Sequence, residues 1–101
     1  MNQLAEQNNG FLTYKGRPLV RKGNTLYYGF MYEPYVAMLT INSTKQEQDL
    51  EMADKVTIQI MSTDPSTNPA DIIVKRGEKN GLYQAMDIAS IWLERYLRPS
   101  K

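Results

Sequence analysis

The sequence predicts an α+β fold, an antiparallel meander of five to seven strands packed against one long C-terminal α-helix. Three observations lead there. Short runs rich in β-branched and aromatic residues recur between residues 11 and 75, punctuated by Gly, Pro, Asn and Asp. One pair of runs, "PLVRKGNTLYYGF", flanks Gly23-Asn24, a two-residue hairpin signal. The last stretch, "NGLYQAMDIASIWLERYL", switches to a helical period and stops just before Pro99. Strands curling round one helix would also suit a partly closed barrel, which is the alternative arrangement.

Residues 1–9 are polar and rich in Asn and Gln, which predicts a flexible N-terminal arm ahead of one domain over residues 10–98. "FLTYK", residues 11–15, reads as a first strand closed by the turn "KGRP". In the hairpin that follows, glycine first in a two-residue loop suits a type II′ turn. That turn sets Lys22 opposite Thr25, Arg21 opposite Leu26, Val20 opposite Tyr27 and Leu19 opposite Tyr28. Alternation then gathers Leu19, Leu26, Tyr28 and Phe30 on the core face and leaves Val20 and Tyr27 on the other. Glu33-Pro34 marks a turn, because the residue before proline is pushed to extended geometry. "YVAMLTI" is almost wholly apolar, which predicts a central strand covered on both faces.

Over residues 44–54 strand, loop and short helix all stay open, since Thr44 and Glu47 have capping-box spacing. From residue 50 to 60 the apolar positions are even: Leu50, Met52, Val56, Ile58 and Ile60. Asp54 interrupts them, which predicts a long strand bulged near Asp54. "DIIVK" reads as a strand, although Asn68-Pro69 would equally start a helix over residues 69–75. The C-terminal helix spans residues 81–97. On its wheel Leu82, Ala85, Met86, Ala89, Trp92, Leu93, Tyr96 and Leu97 form the apolar half, with Trp92 as main core anchor. Gln84, Asp87, Glu94, Arg95 and Arg98 hold the polar side, with Glu94 and Arg98 paired at i,i+4. Ile91 sits among them.

The 101 residues include no cysteine and no histidine. Disulfides, thiolate nucleophiles, Ser-His-Asp machinery, the common zinc sites and imidazole catalysis are therefore absent. Glu47, Asp49, Glu51 and Asp54 lack the glycine that a calcium loop turns on, and no carboxylate pair is singled out for hydrolysis. "GEKNG" lacks the Lys and Ser or Thr of a phosphate-binding loop. Hence no catalytic, metal or cofactor residue is assigned, no cofactor is expected, and the chain reads as non-enzymatic.

The net charge of +1 is unevenly spread: residues 1–32 carry four basic residues against one acid, and residues 33–64 two against six. This balance argues against bulk binding to nucleic acid. It leaves a local anion site at Lys15, Arg17, Arg21 and Lys22, weighed against charged strand ends that merely protect a sheet edge. The start has no apolar core for a signal peptide, and "YVAML" is far too short to span a membrane. A soluble cytoplasmic protein with no membrane partner is the expectation.

Five of the ten aromatic residues fall between Tyr27 and Tyr35. Strand propensity accounts for most of that density. The Gly23-Asn24 turn splits the cluster by face and leaves Tyr27 and Tyr35 for recognition. Together with Ile91 they nominate a contact surface for a homodimer or another protein. Protein–protein contact or self-association is thus the expected function. The alternative is an anionic-ligand or nucleic-acid module built on the basic first hairpin.

"YKGRPLVRKGNTLYYG", "ADKVTIQIMSTDP" and "KNGLYQAMDIASIWLERYL" resemble a family of small uncharacterised bacterial proteins over residues 11–97. The resemblance implies a small cytoplasmic bacterial protein and transfers no functional residue. In layout, "GFLTYKG" and "PLVRKGNTLYYG", followed by strands and a Trp-bearing helix, are similar to a pleckstrin-homology domain, with Gly10, Leu12 and Lys15 in its first strand and Trp92 as its helix tryptophan. That similarity implies phosphoinositide headgroup contacts by Lys15, Arg17 and Arg21. The first loop is shorter than in that family, and the aromatic-basic run of its second strand is missing.

Overall fold

Two-residue turns set the first three strands. In the computed structural model, which describes residues 12–98, β1 (Leu12–Tyr14), β2 (Arg17–Lys22) and β3 (Thr25–Tyr28) are joined by Lys15-Gly16 and Gly23-Asn24. Gly23 is left-handed at φ 62° and Asn24 is not, the pattern of a type II′ turn. The register is the expected one, from Lys22 with Thr25 to Leu19 with Tyr28. At Lys15-Gly16 both residues have positive φ, as a type I′ turn requires. The expected arm over residues 1–9, together with Phe11 and Pro99, lies outside the described residues.

The chain continues through β4 (Tyr35–Ile41), β5 (Thr44–Glu47), β6 (Leu50–Ala53), β7 (Lys55–Ser62) and β8 (Ile73–Asn80). Six strands make one antiparallel sheet in the order β1-β2-β3-β4-β7-β8, and β5 pairs only with β6. The meander is therefore as expected. The separate ribbon raises the strand count to eight among the described residues. The sheet stays open at β1 and β8 and does not close into a barrel.

Three local expectations resolve differently. Thr44 caps no helix; its hydroxyl donates to Glu51 Oε2 at 2.7 Å across the β5–β6 ribbon. Asp54 is not a bulge within one long strand but the point where the chain passes from ribbon to main sheet. The Asp54 N–H bonds to Ser43 O there, and Asp54 O accepts from the Gly81 N–H. The register shift that does occur lies between Ile60 and Met61, opposite β8. At residues 68–80 both signals are used in turn. Asn68 caps a 3₁₀ turn at Pro69–Asp71, and the strand then runs for eight residues as β8.

Helix α1 (Leu82–Leu97) covers one face of the sheet. Its Ala85, Met86, Ala89 and Leu93 pack on Leu26, Tyr28, Ala37, Leu39, Ile41, Val56, Ile58 and Ile60, all 7% exposed or less. Burying each large aliphatic side chain among these contributes about 1.5–3 kcal/mol. Two expected core members sit elsewhere. After Gly29 (φ 125°) the chain leaves the strand, and Phe30 stacks on Tyr32 with centroids 4.9 Å apart, outside the core cluster. Trp92 is only partly buried and walls the side of the core, whereas Leu93 is fully enclosed. The expected Glu94–Arg98 pair gives way to Glu94 with Arg17.

The Trp92 ring occupies the space that a side chain at Gly77 would need: a Cβ there would lie 2.6 Å from Cη2. Lys75 Nζ closes over the ring, 4.6 Å from its centroid. Gly77 itself has an ordinary φ, so alanine would be resisted by the ring and not by the backbone. Gly77→Ala is expected to destabilise the fold by about 1–3 kcal/mol, read as a lower urea midpoint by the single tryptophan's fluorescence. Adding Trp92→Leu should shrink the loss due to Gly77→Ala, measured by circular dichroism. An unchanged midpoint for Gly77→Ala would refute the contact.

Candidate functional site

Antiparallel register arranges the face away from α1 in rows that cross the strands. Val20, Tyr27 and Met38 lie side by side, continued by Gln59 and Arg76. Two residues along, Val36, Met61 and Ile73 make a second apolar row. Pro18 extends that row past Gly29, whose N–H bonds to Pro18 O. Two residues the other way runs a polar row of Lys22, Thr25, Thr40, Thr57 and Glu78, with opposite charges at its two ends. Phe30 and Met31 join Pro18, Val20, Tyr27 and Val36 around a hollow of about 270 Å³ at one end of the face. Among the described residues no helix or strand is stacked on these rows.

The expected contact residues divide between the two faces. Tyr27 is 48% exposed at the centre of the open face. Tyr35 is on the helix side, half-buried, with its ring 5.2 Å from that of Tyr96. Ile91 is also on the helix side and lines a cleft beside the β1–β2 turn. Tyr27 and Tyr35 part because the register pairs Tyr27 with Met38, so odd residues of β3 share a face with even residues of β4. Parity in sequence does not carry across the intervening loop. Val36, Met38 and Met61 were not singled out from sequence, although the unbroken apolar run of β4 was the signal for the first two.

The basic quartet divides as well. Alternation in β2 turns Arg17 and Arg21 toward the helix side and Lys22 toward the open face, and four residues of strand separate the two arginines by roughly 13 Å. Arg21 Nε donates to Gly23 O at 3.0 Å, bracing its own turn. Lys15 and Arg17 do meet, in a cleft of about 410 Å³ lined also by Ser90, Ile91, Arg95 and Arg98. Lys15 Nζ lies 3.1 Å from Asp87 Oδ1 and 3.4 Å from Ser90 Oγ. Its pKa is raised by the hydrogen bond to Asp87. Arg17 Nε reaches Glu33 at 3.4 Å and Nη1 reaches Glu94 at 3.0 Å. Burial pulls the Arg17 pKa down, and the contacts with Glu94 and Glu33 outweigh it. Arg95 and Arg98 have no ion-pair partner among the described residues. Both read as solvated helix positions in sequence; their i,i+3 spacing next to Ile91 and Glu94 was the available clue.

No three carboxylates gather in a metal-binding cluster among the described residues. No helix there is long and apolar enough to cross a membrane. Comparison with protein-family models, curated proteins and solved structures finds no match for the chain.

Tyr28 forms the floor between cleft and core: its hydroxyl donates to Tyr14 O at 2.8 Å, and the side chain is 1% exposed. Burial pushes its pKa above the usual tyrosine value, against a smaller opposing pull from Arg17. Since folding raises this pKa, the folded chain keeps a proton that the unfolded chain loses. Its contribution is full below about pH 10 and is lost as pH rises through the folded value. Tyr28→Phe should cost about 0.5–1.5 kcal/mol at pH 7. It should also flatten the decline of the urea midpoint above pH 10. An alkaline decline of equal slope in both proteins would rule out this role.

Proposed function

We propose that this protein acts without catalysis, through contact between the open face of its sheet and another protein surface. One observation carries the reading. β4 is apolar along nearly its whole length, as a strand covered on both faces is, yet among the described residues α1 packs on only one of them. The second face presents Val20, Tyr27, Met38, Met61 and Ile73 in adjoining rows around a buried Val36, with Arg76 the one charge, at the β8 end of the first row. Charge depletion at the centre with aromatic and Met enrichment is the composition of interface cores. The absence of His and Cys from the sequence fits a binding role.

A photo-cross-linking residue at position 27 should yield a discrete protein adduct in cells. The same residue at position 83, where Tyr83 is 86% exposed on α1, should not. Adducts at 83 and none at 27 would overturn the reading.

A second reading, binding of a small phosphate-bearing ligand, is favoured by the cleft that holds Arg95 and Arg98 unpaired beside Lys15 and Arg17. Its volume of about 410 Å³ lies within the range of small-molecule sites, about 300–1,000 Å³. Glu94 competes there for Arg17. Titration with inorganic phosphate, followed by amide NMR shifts, should show salt-sensitive binding. Joint Arg95→Ala and Arg98→Ala should weaken it about tenfold or more, and Glu94→Gln should tighten it. Binding indifferent to all three substitutions would dismiss the cleft.

A further inference from the structure

Resting on that reading, we infer that the surface docked on the open face is the open face of a second copy of this chain, stacked about a two-fold axis parallel to β4. The support is the order of side chains within each row. β4 is the middle strand of the five that carry the rows, β2, β3, β4, β7 and β8. A two-fold axis along it lays β2 of one copy over β8 of the other, and β3 over β7.

In the polar row this brings Lys22 of each copy to Glu78 of the other, with threonines between. In the first apolar row Val20 meets the aliphatic stem of Arg76 at the rim, Tyr27 meets Gln59 and Met38 meets its own counterpart. In the second, Met61 lies opposite Gly29 and the hollow beside it, and Val36 is self-opposed. No like-charged pair is created in these rows, and both unlike ends are matched. The two-fold axis perpendicular to the strands within the same plane keeps β2 over β2 and moves the polar row off its counterpart, so the charges lose their match.

Sheets stacked in this way lie about 10 Å apart and cross at roughly 30°. The long Lys22 and Glu78 side chains span the displacement this causes at the row ends. The rows extend roughly 19 Å across the five strands and about 14 Å along them. Such a patch is smaller than the ~800 Å² per partner of a standard stable interface. The dimer is accordingly weak and concentration-dependent.

Sedimentation equilibrium of the full chain tests this. The weight-average mass should climb from the 11.6 kDa of one chain toward twice that as concentration approaches about 1 mM. Met38→Glu should hold it at one chain, and Tyr83→Glu should change nothing. Lys22→Glu and Glu78→Lys should each weaken association several-fold, and the double exchange should restore it. Lys22, Glu78 and Tyr83 are exposed and Met38 is partly buried at the centre of its row, and circular dichroism checks that each variant folds. Wild-type protein that stays at one chain throughout would overturn the second-copy inference, while a cross-link at 27 to a different protein would leave the open-face reading standing. Dissociation by Met38→Glu with no response to either charge exchange would overturn the two-fold arrangement alone.

Discussion

The close approach of α1 to the sheet is the constraint on which the rest of this molecule depends. Where the layers meet, the residues are small: Ala85 and Ala89 on the helix, Ala37 in β4, Gly77 in β8, and Gly29 at the end of β3. A Cβ at Gly29 would come within 3.3 Å of both Leu93 Cδ2 and Val36 Cγ1. The contact therefore has little room to relax, and close-packed interiors transmit such limits. Holding the helix at this depth encloses Leu39, Ile58, Ile60 and Leu93 completely. It also aligns the polar edge of α1 with the β1–β2 turn, which is why Asp87, Ser90 and Glu94 find Lys15 and Arg17. A helix of 16 residues is only about 24 Å long, and it is committed to one side. The other side of the same sheet is left to its own side chains.

Arg17 ties three separate segments together. It starts β2 and contacts Glu33 in the connection before β4 and Glu94 in the next-to-last turn of α1. A guanidinium can do this because its donors point in fixed, divergent directions. Arg95 lies in the last turn of the helix and Arg98 caps it, where the negative end of the macrodipole already favours cations. They can thus remain unpaired at the cleft while Arg17 holds Glu94, the acid that lines it. The β1–β2 turn contributes Lys15 in a left-handed conformation that non-glycine residues seldom adopt. Backbone strain of this kind holds where surrounding contacts over-determine it, and the bond to Asp87 is such a contact.

The α+β class, the first hairpin with its register, and the span of the helix were legible in the sequence. Each rests on local signals: Gly23-Asn24, the helical period, and the position of Pro99. The misplaced residues depend on events between elements. Phe30 continues the alternation of β3 on paper, but Gly29 ends the strand one residue earlier. Tyr27 and Tyr35 share a parity, and the β3–β4 register separates them. Asp54 looked like a flaw in one strand because no local signal tells a bulge from a change of sheet. For the candidate surfaces, residue types were visible and juxtaposition was not. Lys15 and Arg17 were flagged, while Arg95 and Arg98, far away in sequence, needed the helix docked before they could join them. The apolar length of β4 predicts cover on both faces, and among the described residues α1 supplies it on one.

The β5–β6 ribbon carries a consequence for how this fold can change. It leaves the main sheet after β4 and returns at β7, two strands that are already neighbours. Its ends are pinned where the Asn42 N–H bonds to Lys55 O at 2.7 Å, so the rungs of the main sheet close without it. At its tip Gln48 and Asp49 both accept positive φ, a conformation chosen by the turn and not imposed by the core. Residues 44–52 thus behave as an appendix, whereas Ala53 packs against the core and Asp54 O holds the Gly81 N–H where α1 begins. Lengthening, shortening or rewriting that excursion leaves the six-stranded register untouched. The fold has a built-in port at which evolution or a protein engineer can graft new sequence while the frame continues to fold.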